Sequence, residues 1–96
     1  MYGTVARMQL QPGKADEMEA LAKEFDGLSV PGHVGTYVYR LDADPNSIIL
    51  AVAFKDKASY QANAQSSEQN SRYEQMRALL TADPEWQDGE IIYPQE

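Results

Sequence analysis

Residues 47–55, Ser-Ile-Ile-Leu-Ala-Val-Ala-Phe-Lys, are apolar on both faces of any strand they form. Side chains alternate along a strand, so Ile48, Leu50, Val52 and Phe54 line one face while Ile49, Ala51 and Ala53 line the other. A strand in a two-layer domain needs one dry face, because its other face meets water. This strand needs cover on both. With 96 residues the chain holds one compact domain, spanning 1–96, and one modest core. The second cover is therefore expected from a second copy related by a two-fold axis, a homodimer. Burying an apolar face on the order of several hundred Å² at roughly 25 cal/mol per Å² would drive that association. The alternative is a monomer whose surface apolar residues are simply scattered.

The flanking sequence supplies the other layer. Tyr2 to Leu10 alternates as a strand, with Tyr2, Thr4, Ala6, Met8 and Leu10 on one face. Pro12-Gly13 breaks it, and Lys14 to Asp26 carries Met18, Leu21, Ala22 and Phe25 at helical spacing. Gly27 is a natural C-terminal stop, and Leu28 to Gly32 reads as a loop. His33 to Leu41 is a second strand, with Val34, Thr36 and Val38 opposite Gly35, Tyr37 and Tyr39. Asp42 to Asn46 is turn chemistry, which makes the strands on either side antiparallel neighbours. Asp56 is placed to cap a second helical region running to about Ala82, interrupted at Ser66-Ser67. Tyr60 and Ala64 precede the interruption, and Tyr73, Met76 and Leu80 form the stripe after it. Ser66 and Gln69 make a capping box for the second piece. Asp83-Pro84 ends the helix, and a last strand, Glu90 to Tyr93, follows the Asp88-Gly89 turn. The order β-α-β-β-α-β predicts an α+β, ferredoxin-like domain, two helices on one face of a four-stranded antiparallel sheet.

Charge and composition exclude several functions. Fifteen acidic against eight basic residues give a net charge of −7, which repels nucleic acid and anionic membranes. The longest apolar run, Ile48 to Phe54, is far shorter than a bilayer span. The start, Met1-Tyr2-Gly3-Thr4, has no basic stretch leading into an apolar one, so the cytoplasm is the expected location. The absence of cysteine removes disulfides, thiolate ligands and a cysteine nucleophile. One histidine makes a catalytic zinc unexpected, and no metal site is predicted. Asp42-x-Asp44-x-Asn46 begins like a calcium loop, but Ser47 stands where glycine is required and Ala53 where glutamate is required. It reads as a hairpin turn.

Several segments together carry a family likeness. They are Tyr2-Gly3-Thr4-Val5-Ala6-Arg7-Met8, Pro12-Gly13-Lys14, Val30-Pro31-Gly32 and Tyr39-Arg40-Leu41-Asp42. Phe54-Lys55-Asp56-Lys57-Ala58-Ser59-Tyr60 and the Asp83-Pro84-Glu85-Trp86 to Asp88-Gly89-Glu90 end complete the set. With the element order, they make the chain resemble the antibiotic biosynthesis monooxygenase superfamily of dimeric α+β barrels. The resemblance implies a pocket between helices and sheet in each subunit. It also implies cofactor-independent oxygenation, in which a deprotonated small aromatic or quinol supplies its own electrons to O₂. A non-catalytic small-ligand binder and a structural dimer module on the same scaffold are the alternatives. Members of the oxygenase branch often carry a histidine in the second helix; Tyr60 to Ala64 offers Asn63 instead. The haem-degrading branch needs an axial histidine there, which this helix lacks, and Trp86 follows the helix rather than lying on the third strand.

The candidate residues are few. His33 is the only histidine, the side-chain type whose unperturbed pKa lies nearest neutrality, and would act as a base at a strand start or as a capping residue beside Pro31-Gly32. Asn63 and Tyr60 share a helix face and would present an amide and a phenol to a ligand, or a solvated residue and a core anchor. Tyr37 would stack on an aromatic ligand or pack at a subunit contact, and Tyr73 would meet substrate or complete a helix stripe. Arg40, like Arg7, would neutralise a phenolate or carboxylate, or pair with one of the abundant acids. Trp86 would clamp the last strand or form a pocket wall.

Overall fold

The computed structural model describes residues 1–26 and 30–93. In chain order the elements are β1 (Tyr2–Gln9), α1 (Ala15–Asp26), β2 (His33–Arg40), β3 (Ser47–Phe54), α2 (Lys57–Ala64), α3 (Ser67–Arg77) and β4 (Glu85–Glu90). The strands form one antiparallel sheet in the order β2-β3-β1-β4. This is the βαββαβ arrangement, with the second helix in two pieces. The stop assigned to Gly27 lies outside the described residues, as do Leu28 and Ser29 of the loop that follows.

The middle of the sheet is set by β1 and β3, which pair from Tyr2↔Phe54 to Gln9↔Ser47. That register puts Thr4, Ala6 and Met8 beside Val52, Leu50 and Ile48 on the helix-covered face. There Ala6, Met8, Leu10, Ile48, Leu80 and Met18 of α1 are buried together. The helix boundaries follow from side-chain caps. Asp56 Oδ1 accepts from the Ser59 backbone N–H at 2.8 Å, and Ser66 Oγ accepts from that of Gln69 at 3.1 Å. The reciprocal half of the predicted capping box is absent, because Gln69 turns its side chain to Asn63 and Arg72. The 42–46 segment is the predicted turn: Asp44 Oδ1 accepts from the Asn46 N–H at 2.9 Å, and Oδ2 accepts from the Ser47 hydroxyl at 3.0 Å.

The end of the chain departs from the sequence expectation. The helix stops at Arg77, not near Ala82, and β4 is Glu85–Glu90, not Glu90 to Tyr93. The cause is the free outer edge of β1. Leu80 bridges Leu10, Thr81 N–H donates to Gln9 O at 2.9 Å, and Arg7 pairs with Glu85. Edge hydrogen bonds thus draw the chain into extended form a turn earlier than the apolar stripe suggests. Leu80, expected on the helix, is buried beyond it. Asp88 and Gly89, expected in a turn, pair with Thr4 and Gly3 inside β4.

The second strand also carries an irregularity. The pairing of β2 with β3 shifts between His33 and Gly35, leaving Val34 as a bulge. Beyond the bulge, Thr36, Val38 and Arg40 oppose Val52, Leu50 and Ile48 on the helix-covered side. His33 opposes Phe54 on that side too, although simple alternation would place it with Tyr37 and Tyr39.

On the helix-free face Val5, Tyr37 and Tyr39 are exposed at 48%, 68% and 58%, around half-buried Ile49, Ala51 and Ala53. Gly3, Ala51, Ala53 and Gly89 floor a shallow depression of about 320 Å³ there. Gly3 allows β1 and β3 to approach, because a Cβ at this position would run into the carbonyl oxygen of Val52. Gly3→Ala is expected to destabilise the domain by about 1–3 kcal/mol, the usual cost of overpacking. A denaturant titration with unchanged slope and an earlier midpoint checks this.

Candidate functional site

Between the sheet and the helices lies an open cavity of about 1020 Å³. Its walls are mainly apolar: Met8, Met18, Leu21, Phe25, Leu50, Val52, Phe54 and Met76 all contribute. Two polar clusters interrupt them.

The first joins β1, α2 and β4. The Tyr60 hydroxyl donates to Asp88 Oδ1 at 2.8 Å, and the Tyr60 ring packs against Tyr2 and Phe54 at 5.3 and 5.7 Å between centroids. Burial pushes the Tyr60 phenol up to about 12, and the bond to Asp88 adds to the rise by favouring the neutral donor. The nearby Thr4 hydroxyl works in the opposite direction. Even so, Thr4 Oγ1 is buried without a hydrogen-bond partner of acceptable geometry. It lines the cavity at the register position of Asp88. A buried hydroxyl left unpaired is costly, so a polar group placed against it would be favoured.

The second cluster spans the break between α2 and α3. Asn63 Nδ2 donates to Gln69 Oε1 at 3.3 Å, Arg72 Nε donates to the same oxygen at 3.1 Å, and Arg72 Nη2 donates to Asn63 Oδ1 at 3.2 Å. The three side chains close a ring and all border the cavity. The break makes the ring possible. Asn63 lies in the last turn of one helix, while Gln69 and Arg72 occupy the first turns of the next.

The cavity collects five of the predicted site residues in full. Asn63, Tyr60, Tyr73, Trp86 and His33 all line it. His33 arrives through the Val34 bulge; its Nε2 shares a 2.7 Å hydrogen bond with Thr36 Oγ1, and its ring meets Phe54 edge-on. Tyr73 and Trp86 pack together at 6.2 Å between centroids. Tyr37 borders the mouth from the edge strand, but its register with Ala51 assigns it to the helix-free face. Arg40 is not part of the wall; its Nη2 lies 3.8 Å from Asp16 Oδ1 of α1 in an exposed ion pair. Thr4, Asp88, Gln69 and Arg72 were not anticipated. Asp88 is hidden by its likeness to a turn residue, and Asn63 and Arg72 lie nine apart across a helix break whose angle no spacing rule fixes. Among the described residues no group of three or more histidines, cysteines or carboxylates is placed to hold a metal ion, and no helix is long and apolar enough to cross a membrane.

Comparison with known proteins agrees with this architecture. The family model for antibiotic biosynthesis monooxygenases matches residues 1–79, and the chain belongs to that family. No curated protein sequence matches it. Among solved structures, SnoaB, a cofactor-independent oxygenase from Streptomyces nogalater solved as a point mutant, superposes with a TM-score of 0.81 at 18% identity. That match covers 97% of this chain and 94% of SnoaB. A protein from Chloroflexus aurantiacus, assigned by name to the same family, gives 0.80 at 22% identity, covering 99% of this chain and 96% of the other. A conserved protein from Methanosarcina mazei gives 0.79 at 21% identity over 92% and 89%. At these identities the likeness establishes the fold.

The shifted phenol gives a direct test. Tyrosine titration followed by ultraviolet absorbance is expected to show one group ionising near 12, and Asp88→Asn is expected to lower it by removing the carboxylate charge while burial still holds it up. Because the phenol ionises later in the folded chain than in the unfolded one, stability is expected to fall as pH climbs from about 10 to about 12. Alkaline denaturation of Tyr60→Phe should lack that part of the decline.

Proposed function

We propose that this chain is a cofactor-independent monooxygenase-like enzyme of the cytoplasm that acts on a small aromatic or quinol. One observation carries the reading: an apolar cavity of ring-accommodating size, on whose wall Tyr60, Tyr73, Trp86, His33 and Asn63 converge. Membership of the monooxygenase family and the cofactor-independent oxygenase among its structural likenesses support it. In the proposed reaction an anthrone-type substrate loses a proton and its electrons pass to O₂. One oxygen atom enters the ring as the new quinone carbonyl, the other leaves as water, and the substrate itself is the reductant. His33 is the candidate base. Asn63 is the candidate donor to the substrate oxygen, and Tyr60, Tyr73 and Trp86 are the candidate walls that orient the ring and exclude water.

The alternative, a non-catalytic small-ligand binder on the same scaffold, draws support from Asn63, whose amide is engaged at both ends by Gln69 and Arg72. Oxygen uptake against a panel of quinols and anthrones separates the two. The enzyme reading expects one O₂ consumed per quinone formed, with rates reduced at least about tenfold in His33→Ala and Asn63→Ala. Binding without uptake across the panel would leave the binder.

We further propose that residues 1–96 act as one domain and that two copies pack across the helix-free face. Its exposed Val5, Tyr37 and Tyr39 surround small residues, and such a patch is a liability in a monomer. Light scattering at micromolar concentration is expected to give twice the chain mass of 10.7 kDa. Ala51→Asp, which sets a charge in the middle of the patch, is expected to shift the mass to that of one chain.

A further inference from the structure

We infer that Arg72 is an anion-binding residue of the cavity, and that the ligand there is an aromatic carrying a carboxylate. The inference rests on the reading of the cavity as a ligand site and names the charge of what enters it.

Arg72 carries five N–H donors on a planar fork. Nε and Nη2, which share one edge, are held by Gln69 Oε1 and Asn63 Oδ1. Both acceptors are neutral amide oxygens. They fix the plane of the guanidinium and leave its charge uncompensated. The other edge, Nη1 with the second N–H of Nη2, has no acceptor among the described residues. That edge is the one that meets a carboxylate with two parallel bonds.

Four of the eight lysines and arginines, Arg7, Lys55, Lys57 and Arg72, have no carboxylate within 4 Å among the described residues, and of these four Arg72 alone borders the cavity. Lys23, the other basic residue on the cavity wall, lies 3.6 Å from Glu19. Arg40 and Arg77 lie against Asp16 and Asp83. Arg72 is only partly exposed, borders the cavity, and has no carboxylate within 4 Å among the described residues. The remaining carboxylate on the wall, Asp88, accepts from Tyr60. A guanidinium already oriented by two amides loses little freedom when it takes an anion. Beside an apolar wall, water competes less effectively for that anion than at an open surface.

The test uses two probes of one shape, 2-naphthoate and 2-naphthamide, with binding to the whole protein measured by calorimetry. The naphthoate is expected to bind about tenfold tighter or more. Arg72→Gln, which keeps amide donors without the charge, is expected to bring the two affinities together. Arg72→Lys, which keeps the charge without the fork, is expected to retain part of the preference. Thermal unfolding of each variant verifies that it is folded. Equal affinity of the two probes for the unaltered protein would overturn the inference and leave the cavity as a ligand site. So would a preference that survives in Arg72→Gln. Failure of both probes to bind would overturn the ligand-site reading and the inference with it.

Discussion

The pairing of β1 with β3 is the constraint on which the remaining geometry depends. The two strands run antiparallel through the centre of the sheet, from Tyr2↔Phe54 to Gln9↔Ser47. A slip of one residue would turn Ile48, Leu50, Val52 and Phe54 away from the helices and carry Ile49, Ala51 and Ala53 in. It would also lose the fit at Gly3, where β1 has no side chain and Val52 presents its carbonyl. From this fixed pair the sheet extends to β2 on one side and β4 on the other. The polar groups of the site are set around this pair: Thr4 on β1 itself, His33 and Thr36 on β2, Trp86 and Asp88 on β4, and Tyr60, Asn63, Gln69 and Arg72 on α2 and α3. Polar chemistry is therefore added around a register that apolar packing decides.

The fold was legible because its signals are local and repeat. Alternation in residues 2–10, the apolar run of 48–54, the stripe of Met18, Leu21, Ala22 and Phe25, and capping residues at Asp56 and Ser66 each specify an element without reference to another. The end of the chain was not legible for the opposite reason. Leu80 continues a helical stripe after Tyr73 and Met76, yet it sits in a bridge to Leu10, where an open strand edge takes hydrogen bonds a helix would have kept. Local periodicity cannot see an edge made by residues seventy positions away.

The site divides in the same manner. Tyr60, Asn63, Tyr73 and Trp86 were within reach because residue type and helix face suffice to nominate them. Thr4 reads as one more residue of an alternating strand, and nothing in its neighbours discloses a buried hydroxyl without a partner. Asp88 reads as turn chemistry, and its link to Tyr60 depends on a strand end whose position was misread. Arg72 lies on a helix of mostly polar residues, and only the angle between α2 and α3 brings it to Asn63. What sequence withheld was the pairing of groups across elements, and that pairing gives the cavity both its shifted phenol and its oriented guanidinium.

The bulge at Val34 has a wider meaning. Strands ordinarily lock each residue's side by parity, so a core-facing position cannot be exchanged for a surface one without disturbing all the others. One extra residue at the entry of an outer strand suspends that rule for everything upstream while the ladder downstream stays in step. His33 thereby lines the cavity, its ring still exposed, although Tyr39 remains outside. A scaffold built this way can change the chemical character of its hollow by gaining or losing a single amino acid at its periphery, with the hydrophobic centre untouched.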